Sequence, residues 1–162
     1  MVNDNKQGKL FLVGLGPGEA EYLTGAARAA LEESDVIVGF RAYIELAGDL
    51  ISGKELVSME LGREMERASK AVELAYAGRV VSVVSSGDAG IYGMSGPVFQ
   101  ILNSLEWDGT NPQVETVPGI SAMQSAAALL GAPLMQDFCA ISLSDLMTPW
   151  EAITQRLKAA AQ

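Results

Sequence analysis

The sequence predicts an α/β fold: a five-stranded parallel sheet with helices on both faces, followed by the first strand and helix of a second α/β domain. Three observations carry that reading. Short apolar runs such as Leu10-Phe11-Leu12-Val13 and Val80-Val81-Ser82-Val83-Val84 recur along the chain, and nearly continuous apolar strands belong to sheets covered on both faces. Segments of helical period separate these runs, and repeated βα units imply parallel pairing through right-handed crossovers. The pattern then restarts after Gly131-Ala132-Pro133.

Taken in order, residues 1–8 read as a disordered leader, 9–134 as the first domain, and 135–162 as a linker and the start of the second. Leu10 to Val13 is the first strand. Thr24 to Ser34 is a helix with Leu23, Ala27, Ala30 and Leu31 near one face. Asp35 to Val38 is a strand, Arg41 to Ile51 a helix, and Glu55 to Met59 a short strand. Gly62 to Ala77 is the clearest amphipathic helix, with Met65, Ala68, Val72 and Ala75 as its apolar stripe and Gly78 as its C′ residue. Arg79 to Ser85 is the central strand. Ser95 to Ser104 is a helix with Pro97 in its first turn. Gln113 to Val117 is the fifth strand and Ser121 to Leu130 an alanine-rich helix ended by Gly131. Phe138 to Leu143 is expected to be a sixth strand, and Pro149 to Ala160 a helix.

Composition narrows the chemistry. The 162 residues carry a net charge of −9, which argues against nucleic acid because phosphate binding needs a basic face. There is no histidine, so Ser-His-Asp and Cys-His catalysis and most zinc sites are excluded, and no metal site is expected. The one cysteine, Cys139, lies in an apolar run and reads as a buried thiol. It leaves no disulfide framework within the chain, which fits a reducing, cytoplasmic setting. No apolar stretch reaches membrane-spanning length.

Three glycine turns follow three different strands: Gly14-Leu15-Gly16-Pro17-Gly18-Glu19, Ser86-Gly87-Asp88-Ala89-Gly90-Ile91-Tyr92-Gly93, and Pro118-Gly119-Ile120-Ser121-Ala122. Each alone can be read as a tight turn. Together they mark the carboxyl ends of parallel strands, where open α/β sheets bind ligands. The first is not a dinucleotide fingerprint. Glu19 stands where the third glycine belongs, Pro17 removes a backbone N–H, and no acidic residue follows the second strand. No P-loop pattern occurs either. The three turns contain no basic residue. With the strand end before the second turn they offer backbone groups, the hydroxyls of Ser85, Ser86 and Ser121, and the Asp88 carboxylate. That inventory suits a ligand with adenosine and amino-acid parts better than a pyrophosphate.

These three loops resemble those of the tetrapyrrole (corrin/porphyrin) methylases, and the similarity covers about residues 9–160. Within the family the pattern is most similar to the branch that methylates C17 of a corrin precursor with ring contraction. The cues are Ala140 to Glu151, Val38 to Tyr43, and Leu130 to Leu134. The resemblance implies an S-adenosylmethionine-dependent C-methyltransferase of cobalamin biosynthesis acting on precorrin-3B or cobalt-factor III, a homodimer with no nucleic-acid or membrane partner. Donor contacts are implied at Gly87, Asp88, Ala89, Ile91, Tyr92, Ser121 and Ala122. Gly16, Pro17, Gly18 and Arg41 are implied to meet the tetrapyrrole, and Glu19, where the family usually has Asp, to take the catalytic position. Arg63 and Arg67 are further candidates for the substrate's carboxylates, since guanidinium pairs bidentately with carboxylate. Members of the family carry a second domain, of which only the first strand and helix are expected here. Two other readings of the residues stay open. One is a non-catalytic α/β module that self-associates through the apolar 138–143 strand; the other is a sibling methylase acting on another macrocycle carbon.

Overall fold

The computed structural model describes residues 7–145 and 148–161. The chain divides into two units, 1–126 and 127–162. The proposed leader lies mostly outside the described residues, as do Leu146 and Met147 of the 140–151 cue.

The first unit is built on five parallel strands: β1 (Lys9–Gly14), β2 (Val36–Phe40), β3 (Glu55–Met59), β4 (Val80–Ser85) and β5 (Gln113–Val117). Their order is β3-β2-β4-β1-β5, so β1 lies between β4 and β5. Side chains alternate across the sheet. Leu10 and Leu12 join a core with α3 (Glu64–Tyr76) and α4 (Ser95–Ser104) through Ala68, Val72, Val98 and Leu102. Phe11 and Val13 face the other way and pack with Ala27, Ala30 and Leu31 of α1 (Gly25–Glu33) and Ile44 of α2 (Arg41–Leu46). Burial on both faces is what the apolar strands required.

Local signals set the helix ends. Thr24 caps α1 by accepting from the Ala27 N–H at 3.1 Å. Gly78, at φ +84°, ends α3 as anticipated. The expected helix from Arg41 to Ile51 is instead α2 followed by a 3₁₀ turn over Gly48–Ile51. Gly48 takes φ +53°, which a continuous α-helix does not admit. Met65 is 40% exposed and sits outside the α3 stripe.

α5 (Ala122–Leu130) runs across the division between the units. In the second unit α6 (Trp150–Ala160) forms as expected, but residues 138–143 carry no strand. A strand is held by a continuous ladder of hydrogen bonds to a neighbour, and among the described residues no such ladder runs along this segment. Cys139 is correspondingly exposed rather than buried.

Candidate functional site

Because β1 lies between β4 and β5, the turns leaving these strands meet at the carboxyl end of the sheet. The first two are joined by main chain. Gly16 and Gly87 exchange both hydrogen bonds, Gly16 N–H to Gly87 C=O at 3.0 Å and Gly87 N–H to Gly16 C=O at 2.7 Å. Both take left-handed φ, +80° and +62°. Glycine is needed for a second reason where the turns touch. A Cβ on Gly14 would stand 2.6 Å from both the Gly119 nitrogen and the Gly87 oxygen, and one on Gly119 only 2.1 Å from the Gly87 oxygen. Thus the glycines allow the loops to approach one another, which turn chemistry alone would not require.

Asp88 fastens the second loop to the third. Its Oδ2 accepts from the Gly119 N–H at 3.0 Å and its Oδ1 from the Gly90 N–H at 2.8 Å. The carboxylate is therefore first a brace, with lone pairs to spare on both oxygens. Ala89 is fully buried beneath the loop, whereas Ile91 and Tyr92 are 44% and 68% exposed at its tip. Tyr92 holds φ +54°, a left-handed conformation costing about 1–2 kcal/mol for an L-residue. Gly93 closes the loop where a Cβ would come within 2.5 Å of the Ala89 oxygen.

Ser121 is buried, and its hydroxyl is committed to the start of α5. It accepts from the Gln124 N–H at 3.2 Å, while Gln124 Oε1 accepts from the Ser121 N–H at 3.0 Å. This is a capping box; the sequence reading took Ser121 for a donor contact and missed the cap, which its S-x-x-Q spacing signals. Ala122 follows it and is exposed. In the first loop Gly16 is buried, Pro17 and Gly18 are half-buried, and Glu19 is exposed.

The arginines separate. Arg41, at the end of β2, is exposed and 4.0 Å from Glu45. Arg63 is exposed and paired with Glu66. That bond raises the guanidinium above its ordinary value and holds the Glu66 carboxyl below the usual carboxylate range. Arg67, a candidate from sequence for the substrate's carboxylates, is instead buried, with 3% of its side chain exposed. Ser85, read from sequence as a hydroxyl offered to the ligand, is engaged by the fold: its Oγ accepts from the Met94 N–H at 3.1 Å, anchoring the loop's exit to the last residue of β4. Gly119, which carried no individual role in the sequence reading, supplies the amide that Asp88 holds. Among the described residues no group of acidic or sulfur side chains is arranged to hold a metal, and no helix is long and apolar enough to cross a membrane.

Comparison with known proteins agrees with this geometry. A family model described as Tetrapyrrole (Corrin/Porphyrin) Methylases matches residues 9–162. The chain is 49% identical over 157 residues to the cobalt-factor III methyltransferase of Priestia megaterium, covering 96% of this chain and 29% of that protein. It is 44% identical over 153 residues to the probable cobalt-factor III C(17)-methyltransferase of Salmonella typhimurium, covering 94% and 62%. Among solved structures it is similar to the methyltransferase CobJ, with a TM-score of 0.84 and 41% identity over 94% of this chain and 62% of that one. It is also similar to the uroporphyrin-III C-methyl transferase of Thermus thermophilus solved with S-adenyl homocysteine, with a TM-score of 0.58 and 27% identity over 85% and 53%. The chain thus spans less than two thirds of the length of each of these proteins. A family match over nearly the whole chain, on a sheet whose three glycine turns interlock at one end, establishes that this chain belongs to the tetrapyrrole methylases.

Proposed function

We propose that this chain carries the donor-binding end of an S-adenosylmethionine-dependent methyltransferase that methylates C17 of precorrin-3B or cobalt-factor III, with ring contraction, in cobalamin biosynthesis. The observation that carries the reading is the interlocked triple turn at Gly14–Glu19, Ser86–Gly93 and Pro118–Ser121. Its chemistry fits the donor. The three turns hold carboxylates at Glu19 and Asp88 and no basic side chain, which favours a cationic ligand over a polyphosphate. The names of the relatives above supply the substrate class.

When bound, the donor supplies a methyl group on a sulfonium. Methyl transfer of this kind asks the protein chiefly for alignment of two bound reactants, which explains how a chain without histidine serves. Gly87, Asp88, Ala89, Ile91 and Tyr92, with Ser121 and Ala122, hold the donor. Asp88 acts mainly by fixing the Gly119 amide and the Gly90 turn, and Ser121 by fixing the head of α5. Gly16, Pro17, Gly18 and Arg41 face the tetrapyrrole, and Glu19 takes the catalytic position beside it. Arg41 opens α2 directly after β2, the strand next to β4, at the same end of the sheet, with its charge only loosely engaged by Glu45.

Calorimetric titration with S-adenosylhomocysteine tests the reading. The protein is expected to bind at one site, and Asp88→Ala to weaken binding by about tenfold, since hydrogen bonds to a charged group contribute about 1.5–3 kcal/mol. A wild-type protein that binds no adenosyl ligand overturns it. A homodimer in the cytoplasm is part of the same proposal. The dimer is supported by Leu129, Leu130 and Met135, which are 87%, 80% and 81% exposed.

A further inference from the structure

Arg67 is the one charged side chain buried among the described residues, and the site above gives it no role. It stands in the first turns of α3 with its guanidinium turned inward. Nη2 donates to the Glu60 carbonyl at 2.9 Å and to the Met59 carbonyl at 3.4 Å. Nη1 donates to Met94 Sδ at 3.4 Å and lies 3.9 Å from Glu64 Oε1. Nε is buried and has no partner.

That arrangement is an inefficient way to stabilise a core. A buried charge is costly unless it is paired and fully hydrogen-bonded, and an apolar side chain of similar volume often serves stability as well or better. Here the ion pair is long, one nitrogen is orphaned, and one acceptor is a thioether, which accepts weakly. What the guanidinium does accomplish is a connection. Met59 and Glu60 are the exit of β3, and Met94 is the residue after the 86–93 loop, leading into α4. In the strand order β2 lies between β3 and β4, so one side chain ties together turns two strands apart. The main chain of Met94 is already held to Ser85 Oγ, and the next residue closes the loop, with the Ser95 N–H donating to the Ala89 carbonyl at 3.0 Å.

We propose that Arg67 is a positioning residue for the Ser86–Gly93 loop. It grips the Met94 side chain and so holds the loop's exit against the β3–α3 turn, in the shape required for methyl-donor binding. The donor half of this statement rests on the function proposed above; the loop half does not.

The test is backbone amide hydrogen exchange on the full chain, read together with S-adenosylhomocysteine titration, for Arg67→Met, Met94→Leu and the surface control Lys70→Met. The amides of Gly90 and Ile91, bonded to Asp88 Oδ1 and the Asp88 carbonyl, report the loop. In Arg67→Met they are expected to exchange about tenfold faster with β1 and β4 unchanged, and the ligand to bind about tenfold more weakly, the scale of one charged hydrogen bond. Met94→Leu keeps the volume and removes the acceptor. It is expected to shift the same two amides by about threefold, because a thioether acceptor is weak. Lys70→Met, whose ammonium meets Glu73 on the exposed face of α3, is expected to change neither. Exchange that rises evenly through the sheet, or that is unchanged at Gly90 and Ile91, overturns the proposal. Should Arg67→Met fail to fold, Met94→Leu decides alone by the same criterion. Absence of ligand binding by the wild-type protein removes the functional reading, while the exchange data still decide whether Arg67 positions the loop.

Discussion

Gly119 shows why the loops could be located in sequence but not understood there. Glycine at positions 14, 87 and 119 was legible as three turns. The residues did not reveal that the turns rest on one another, because the 2.1 Å approach to the Gly87 oxygen joins segments far apart in the chain. Gly119→Ala is expected to destabilise the protein by about 1–3 kcal/mol, the usual cost of overpacking, measured as a lowered urea midpoint with unchanged slope. A midpoint equal to wild type would mean the loops yield easily. Asp88 was legible as the charged group of the site, but not as a brace whose partners are backbone amides. Arg67 was misread for a related reason. As a candidate for the substrate's carboxylates it was grouped with Arg63, yet only contacts with Met59, Glu60 and Met94 reveal that its guanidinium points inward.

At the scale of elements, the strands and most helices were legible because apolar periodicity records burial directly. β3, β5 and α4 have the bounds expected of them. Failures fall where a neighbour decides. The 138–143 run has strand composition, but composition supplies no partner for its ladder. The helix after β2 divides at Gly48, where conformation overrides a continuous apolar spacing. The head of α5 is a different case, since the Ser121 and Gln124 capping box is a local pattern that the sequence reading passed over. Ser121→Ala is expected to cost about 1 kcal/mol, seen as a lower melting temperature, with most of it recovered in Ser121→Asp. Equal loss in both variants would place the role of Ser121 outside the cap.

At the scale of the whole molecule, the order β3-β2-β4-β1-β5 turns three separate motifs into one site. No single turn is specific, and the topology that unites them follows from crossover rules only once the number of strands is known. Apolar side chains stay exposed on α5 and in 127–143, including Phe138 at 58% and Leu143 at 59%. Patches of this kind mark association surfaces. In sedimentation velocity the protein is expected to shift from monomer toward dimer with concentration, and Leu130→Glu to suppress the shift. A concentration-independent monomer would count against the proposed homodimer.

The exchange of hydrogen bonds between Gly16 and Gly87 bears on timing. Loops that a ligand must order delay its capture, because each encounter succeeds only when the segment happens to be in the right shape. Here the turns are joined by the protein's own hydrogen bonds, so the ordering entropy is lost during folding. Arrival at this end of the sheet is then governed by diffusion and by the acidic field of the protein, and selectivity falls to how long the visitor stays.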